Sequence, residues 1–160
     1  MIILPPDPGY RNAIADLWAS GPVRSMEGYP QHGETSCLLH SLRVSYLSYC
    51  RCLQKGLDAR AAARAGLLHD LFLYDWHTYR RPRGVLLPHG FTHPRTALEN
   101  ARRFFVLTDV EEDCILHHMW PLTLVPPLTA EGMVITRVDK WVSLLETLHR
   151  PVLLPVLAKT

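Results

Sequence analysis

His69-Asp70 closes an alanine-rich apolar segment, Ala61-Ala62-Ala63-Arg64-Ala65-Gly66-Leu67-Leu68. A histidine and a carboxylate leaving one hydrophobic helix together can grip a single metal ion. Further candidate ligands stand at His40, His93, His117-His118 and Asp139, each beside its own apolar run. Nine histidines in 160 residues is a heavy load, and several stand where a core would not accept an unsatisfied imidazole. Neutral imidazole and carboxylate suit zinc, iron, manganese, nickel or cobalt. The chain is therefore expected to be a metal-dependent enzyme carrying one or two divalent transition-metal ions.

The elements that must position these residues follow from periodicity and capping. Residues 1–9 are proline-rich and read as extended. Tyr10 to Ser20 carries Ile14, Leu17 and Trp18 at helical spacing and stops at Gly21-Pro22. A loop follows through Gly28-Tyr29-Pro30-Gln31-His32-Gly33. The second predicted helix runs from about Ser36 to Lys55, with Thr35 or Ser36 as its cap and Gly56 just past its end. His40, Val44 and Leu47 share one of its faces. Asp58 caps a third helix, which the alanines favour and which ends near His69-Asp70-Leu71-Phe72. From about Asp75 to Phe91 the chain reads as an irregular stretch able to form a lid or substrate wall. Another helix is predicted from Pro94 to about Phe105, and one capped by Asp109 reaches His118. After Pro121, Pro126 and Pro127 the last helix spans about Ala130 to His149, with Val134, Val138, Trp141, Leu144 and Leu145 as its inward stripe. No strand and no repeat is evident. The expectation is an all-α bundle of about six to seven helices in one domain over 1–160, with the tail at 150–160 docking on the core.

Bulk properties narrow the function. A formal charge of +2 gives no case for nucleic acid, although Arg80, Arg81, Arg83, Arg95, Arg102 and Arg103 cluster locally. Cys37, Cys50, Cys52 and Cys114 form no CxxC pair, so they read as reduced, partly buried thiols in a cytoplasmic protein. Neither a signal peptide nor a membrane span is expected. The oligomeric state is not legible.

The order His40, His69-Asp70, His93, His117-His118, Asp139 resembles the HD-domain phosphohydrolase superfamily. The matching strings are His40-Ser41-Leu42-Arg43-Val44, Gly66-Leu67-Leu68-His69-Asp70 and Val138-Asp139-Lys140, over roughly residues 32–147. His93-Pro94 and His117-His118 look like the second-metal ligands of the binuclear branch. Gln31-His32-Gly33, the run from His69 to His77, and His118-Met119-Trp120-Pro121-Leu122 resemble a group of small bacterial HD proteins, a likeness that brings no substrate with it. Two departures matter. Leu73 stands where many binuclear members carry a lysine. Gly28-Tyr29-Pro30 lies far upstream of the place where the cyclic-dinucleotide branch carries that string.

The resemblance implies a site in two halves. His40, His69, Asp70 and Asp139 hold one metal; Asp70 bridges to a second held by His93 and His118, with His117 as a weaker candidate. Two cations suit a phosphate ester attacked by hydroxide, because they hold both anions and lower the pKa of a bridging water toward neutral. The expected activity is hydrolysis of a nucleotide or other small phosphate ester. Asp70, His69 and Lys140 are the catalytic candidates; Lys140 either meets phosphate, orients a ligand or is a surface lysine. His32, His89 and Arg81 are the candidates for substrate contact, their bland alternatives being solvated loop residues. Two other readings stay open: a di-iron HD-type oxygenase, and a metal-stabilised binding module without turnover.

Overall fold

The computed structural model describes residues 2–32, 35–75, 78 and 88–155. Among them the chain is mostly helical, with eight α-helices and one two-stranded sheet. The helices are α1 (Pro8–Ala13), α2 (Ala15–Trp18), α3 (Gly21–Ser25), α4 (Cys37–Lys55), α5 (Ala59–Leu68), α6 (His89–Phe104), α7 (Asp109–His117) and α8 (Ala130–Thr147). The strands are β1 (Pro30–His32) and β2 (Thr35–Ser36), paired antiparallel with Pro30 opposite Ser36. The all-α expectation holds apart from this small ribbon, which stands where a loop is expected.

The long helices start where short polar side chains can satisfy their free N–H groups. Ser36 Oγ accepts from Leu39 N, and Asp58 Oδ1 from Ala61 N. Thr108, not Asp109, caps α7: it forms a reciprocal capping box with Glu111 and leaves Asp109 as the first helical residue. Gly56 ends α4 at φ +67°, a conformation that costs glycine little. Three other boundaries differ from expectation. The first helix begins at Pro8 behind an Asp7 cap and breaks at Ile14. Gly21-Pro22 opens α3 rather than a loop, because Ser20 caps it and proline fits the first turn. Helix α6 begins at His89, so Pro94 lies inside it.

Helix α4 runs through the middle, packed on α5 along one side and on α8 along another. Hydrogen bonds link three elements across the core: Tyr10 Oη donates to Ser45 Oγ (2.8 Å), which donates to the Ala63 carbonyl (2.6 Å). Helices α4 and α5 approach closely at Gly66. A Cβ there would sit 2.8 Å from Ser45 Cα and 3.1 Å from Ser45 N. Helix propensity alone makes Gly66→Ala stabilising by about 1 kcal/mol. Backbone contact reverses the sign, because neither atom can swing aside. A loss of roughly 1–3 kcal/mol is expected by urea denaturation, with weakened metal uptake, since the Gly66 carbonyl also holds the His69 ring. Unchanged or raised stability would mean that the two helices can part without cost.

The inward face of α8 is Ile135, Val138, Asp139, Val142 and Glu146. Of the predicted stripe, Val138 is buried, but Trp141 and Leu144 are about half exposed (52% and 49%). Counting apolar residues alone rotates this helix, because two of its core positions are carboxylates. At the C-terminal end Val152 and Leu154 pack on the core, while 156–160 lie outside the described residues. All four cysteines are buried and free. Among the described residues no helix is long and apolar enough to cross a membrane.

Candidate metal centre

Five elements deliver six side chains to one buried point. Helix α4 brings His40, the end of α5 brings His69 and Asp70, α6 brings His93, the end of α7 brings His118 and α8 brings Asp139. All six are at least nine-tenths buried. In the first half, His40 Nε2 lies 3.1 Å from Asp139 Oδ1, and His69 Nε2 lies 3.3 Å from Asp70 Oδ2 and 3.6 Å from Asp139 Oδ1. In the second, Asp70 Oδ1 lies 3.2 Å from His93 Nε2 and 3.7 Å from His118 Nε2. The two oxygens of Asp70 thus face different histidine pairs.

Each imidazole is turned by its other nitrogen. His69, His93 and His118 donate from Nδ1 to the carbonyls of Gly66 (2.9 Å), His89 (3.0 Å) and Ile115 (2.8 Å). A carbonyl only accepts, so Nδ1 carries the hydrogen and Nε2 is left as a lone pair aimed inward. His40 Nδ1 donates to Glu146 Oε2 (2.8 Å), while Arg43 Nη1 donates to Glu146 Oε1 (2.8 Å). The inner surface is therefore built of acceptors. His69 Nε2 and Asp70 Oδ1 are buried without a hydrogen-bond partner. His93 Nε2 and His118 Nε2 approach to 2.9 Å, where two bare lone pairs repel. A cation would resolve such a shell, and two overlapping groups, His40, His69 and Asp139, and His69, Asp70 and His118, could each hold a metal ion.

Without a metal, protons must serve as that cation. Burial disfavours a charged His40, but hydrogen bonds to Asp139 and Glu146 overcome it and raise its pKa to about 9. For His69 burial is likewise opposed, by Asp70 and Asp139, and its pKa rises well above the ordinary value. Burial would raise the two carboxyls, yet His69 and His93 beside Asp70, and His40 and His69 beside Asp139, hold both well below the usual range. His118 moves the other way, to about 3, through burial and the neighbouring His69 and His93. Protons on His40 and His69 therefore compete with metal for the same nitrogens. Uptake near pH 7 is expected to release at least one proton per chain, and apparent affinity to rise with pH up to about 9. Calorimetric titration with zinc in two buffers of different ionisation enthalpy checks this; identical heats in both would contradict it.

Gln31, on β1, donates from Nε2 to Asp70 Oδ2 at 2.6 Å and so fixes which oxygen faces which half. Ser143 Oγ donates to Asp139 Oδ1 (3.3 Å). A cavity of about 790 Å³ opens onto the centre; its wall includes Gln31, His89, Met119, Leu122 and Lys140. Lys140 donates from Nζ to the His118 carbonyl (3.2 Å). His89 stacks on His93 with centroids 4.7 Å apart and shares a hydrogen bond with Tyr74 Oη.

His117 is not among the gathered ligands. Its Nδ1 donates to Asp113 Oδ1 (2.8 Å), and Asp113 also accepts from the backbone of Leu128 and Thr129. His117 thus helps to pin the loop before α8. The side chain of His32, and Arg80, Arg81, Arg83 and Trp76, lie outside the described residues. Sequence reasoning missed Gln31, Ser143 and Glu146 as site residues. Glu146 had a signal, standing seven residues after Asp139 and so on the same face of a helix. Gln31 had none beyond its neighbour His32.

No protein-family model, no curated protein and no solved structure matches this chain. The chemistry of the site rests on its own geometry.

Proposed function

We propose that the chain is a metal-dependent phosphohydrolase of the HD type, acting on a nucleotide or other small phosphate ester at a binuclear centre. The observation that carries this reading is the Asp70 carboxylate, with one oxygen toward His69 and the other toward His93 and His118. A first ion would take His40, His69, Asp70 and Asp139, and a second Asp70, His93 and His118. Divalent ions bound there would polarise a phosphoryl oxygen and acidify a coordinated water.

The protein's own groups do the rest. Asp70 and Asp139 offset only part of the charge of two dications, so the centre attracts a dianion. Glu146 is already matched by Arg43 and His40 and adds little negative charge at the cavity. Lys140, on the cavity wall, is placed to meet an anionic group that reaches past the centre. Gln31 and Ser143 keep the two carboxylates in register.

Release of inorganic phosphate from p-nitrophenyl phosphate and from nucleotides is the test, with protein loaded in turn with manganese, iron, cobalt, nickel or zinc. Phosphate release lost in Asp70→Asn supports the reading. No release with any metal contradicts it, and dioxygen uptake by the iron-loaded protein without phosphate release would put an oxygenase in its place.

A further inference from the structure

We infer that the outer face of α8 joins two copies of this chain, the two helices packing antiparallel about a twofold axis. The inference is independent of the reaction assigned to the metal centre.

Helix α8 buries one face through Ile135, Asp139, Val142 and Glu146. A helix that only faced water on its other side would be polar there. Instead Trp141, Leu144 and Leu148 stand on that side, 52%, 49% and 58% exposed. They continue a series, Ala130, Val134, Arg137, Trp141, Leu144, Leu148, whose steps are four, three, four, three and four residues. Alternating steps of three and four keep all six on one line along the helix, which is the seam that a second helix packs against.

The seam matches itself when it is reversed. Turned end for end, Ala130 meets Leu148 of the second copy, Val134 meets Leu144 and Arg137 meets Trp141. The first pair sets a small side chain against a large one, and the second packs two branched ones. The third lays a guanidinium on an indole face. A parallel arrangement would instead set Arg137 against its own copy, charge on like charge. Lys140 lies beside the seam and does not meet its copy, because its Nζ is turned back to the His118 carbonyl. With Leu128, 81% exposed just before the Thr129 cap, the seam and its flanks offer roughly 600 Å² of each chain, the lower end of what specific dimers bury. The same patch serves both copies, so the assembly closes at two.

Sedimentation equilibrium on the full, metal-loaded chain reads its mass. At about 100 μM the wild type is expected to be a dimer. Leu144→Lys places an ammonium against Val134 of the second copy and is expected to weaken association about 100-fold or more. Leu144 is half exposed within one chain, so helix content by circular dichroism and bound metal should not change. Orientation is read by mixing an Ala130→Cys chain with a Leu148→Cys chain and adding a short thiol crosslinker; the four native thiols are buried. The mixed product is expected to exceed either product of like with like. A monomeric wild type would overturn the inference, and its binding to anionic phospholipid vesicles would make this a membrane-facing surface instead. A dimer that Leu144→Lys leaves intact would place the interface elsewhere, and a predominance of like-with-like crosslinks would overturn the antiparallel arrangement. Should Leu144→Lys fail to fold, the crosslinking still decides.

Discussion

Asp70→Asn is expected to lose bound metal by roughly a hundredfold or more in affinity, and phosphate release by about 10³-fold, while the fold stays intact. The substitution keeps shape but removes one charge and turns one oxygen into an NH2. If that NH2 faces Gln31, two donors meet across the 2.6 Å contact. If it faces the other way, it donates into the lone pairs of His93 and His118, where a cation should sit. Either orientation removes the bridge between the two halves. Without metal the substitution also removes the carboxylate that pairs with His69 and His93, so the metal-free variant should unfold earlier than the metal-free wild type while still folding. Elemental analysis, a phosphate-release assay and thermal unfolding of both proteins check the three parts. A variant that keeps its metal and its activity would remove Asp70 from the centre.

Arg64→Ala is expected to cost about 3–5 kcal/mol of stability, a large share of what a domain of this size commands. Arg64 is 3% exposed; it donates from Nε to Glu111 Oε1 (2.7 Å) and from Nη1 to Asp16 Oδ1 (2.6 Å). Asp16 is largely solvated and its bond is worth little. Glu111 is 1% exposed, and truncating Arg64 strands its charge in the core between α5 and α7. The penalty therefore lies in the orphaned partner rather than in the bond. Arg64→Met combined with Glu111→Leu should recover most of it, less the roughly 1 kcal/mol lost with the Thr108–Glu111 capping box. Urea denaturation of the single and double variants decides: equal losses in both would mean that packing, not charge, holds this junction.

The buried Arg64 also marks where sequence reading stops. The Ala61 to Leu68 segment is legible as a helix, and its cap at Asp58 and the exit at His69-Asp70 lie where composition and capping place them. The cap at Thr35 or Ser36, of which the fold uses Ser36, and the end at Gly56 were also legible, because short-range hydrogen bonding decides them. An arginine inside that helix looks solvent-facing until α7 brings Glu111 against it. The same limit explains α8. Its buried face is chosen by Asp139 and Glu146, which turn inward toward His40, so apolar counting placed Val138 correctly but put the half-exposed Trp141 and Leu144 on the inward side. At the centre, the ligand types and their order along the chain brought His40, His69, Asp70, His93, His118 and Asp139 into view. The orientation of adjacent residues did not follow from order, and His117 turns to Asp113 while His118 turns inward. Gln31 belongs to a two-stranded ribbon that no periodicity announces, and its role exists only through a contact 39 residues away in the chain.

Metal content by elemental analysis tests the central claim most directly, on protein purified without chelator and without a metal-affinity tag. Two equivalents of a divalent transition metal per chain are expected, one for each face of Asp70. A folded chain that takes up none, even when offered manganese, iron, cobalt, nickel and zinc in turn, would contradict the account.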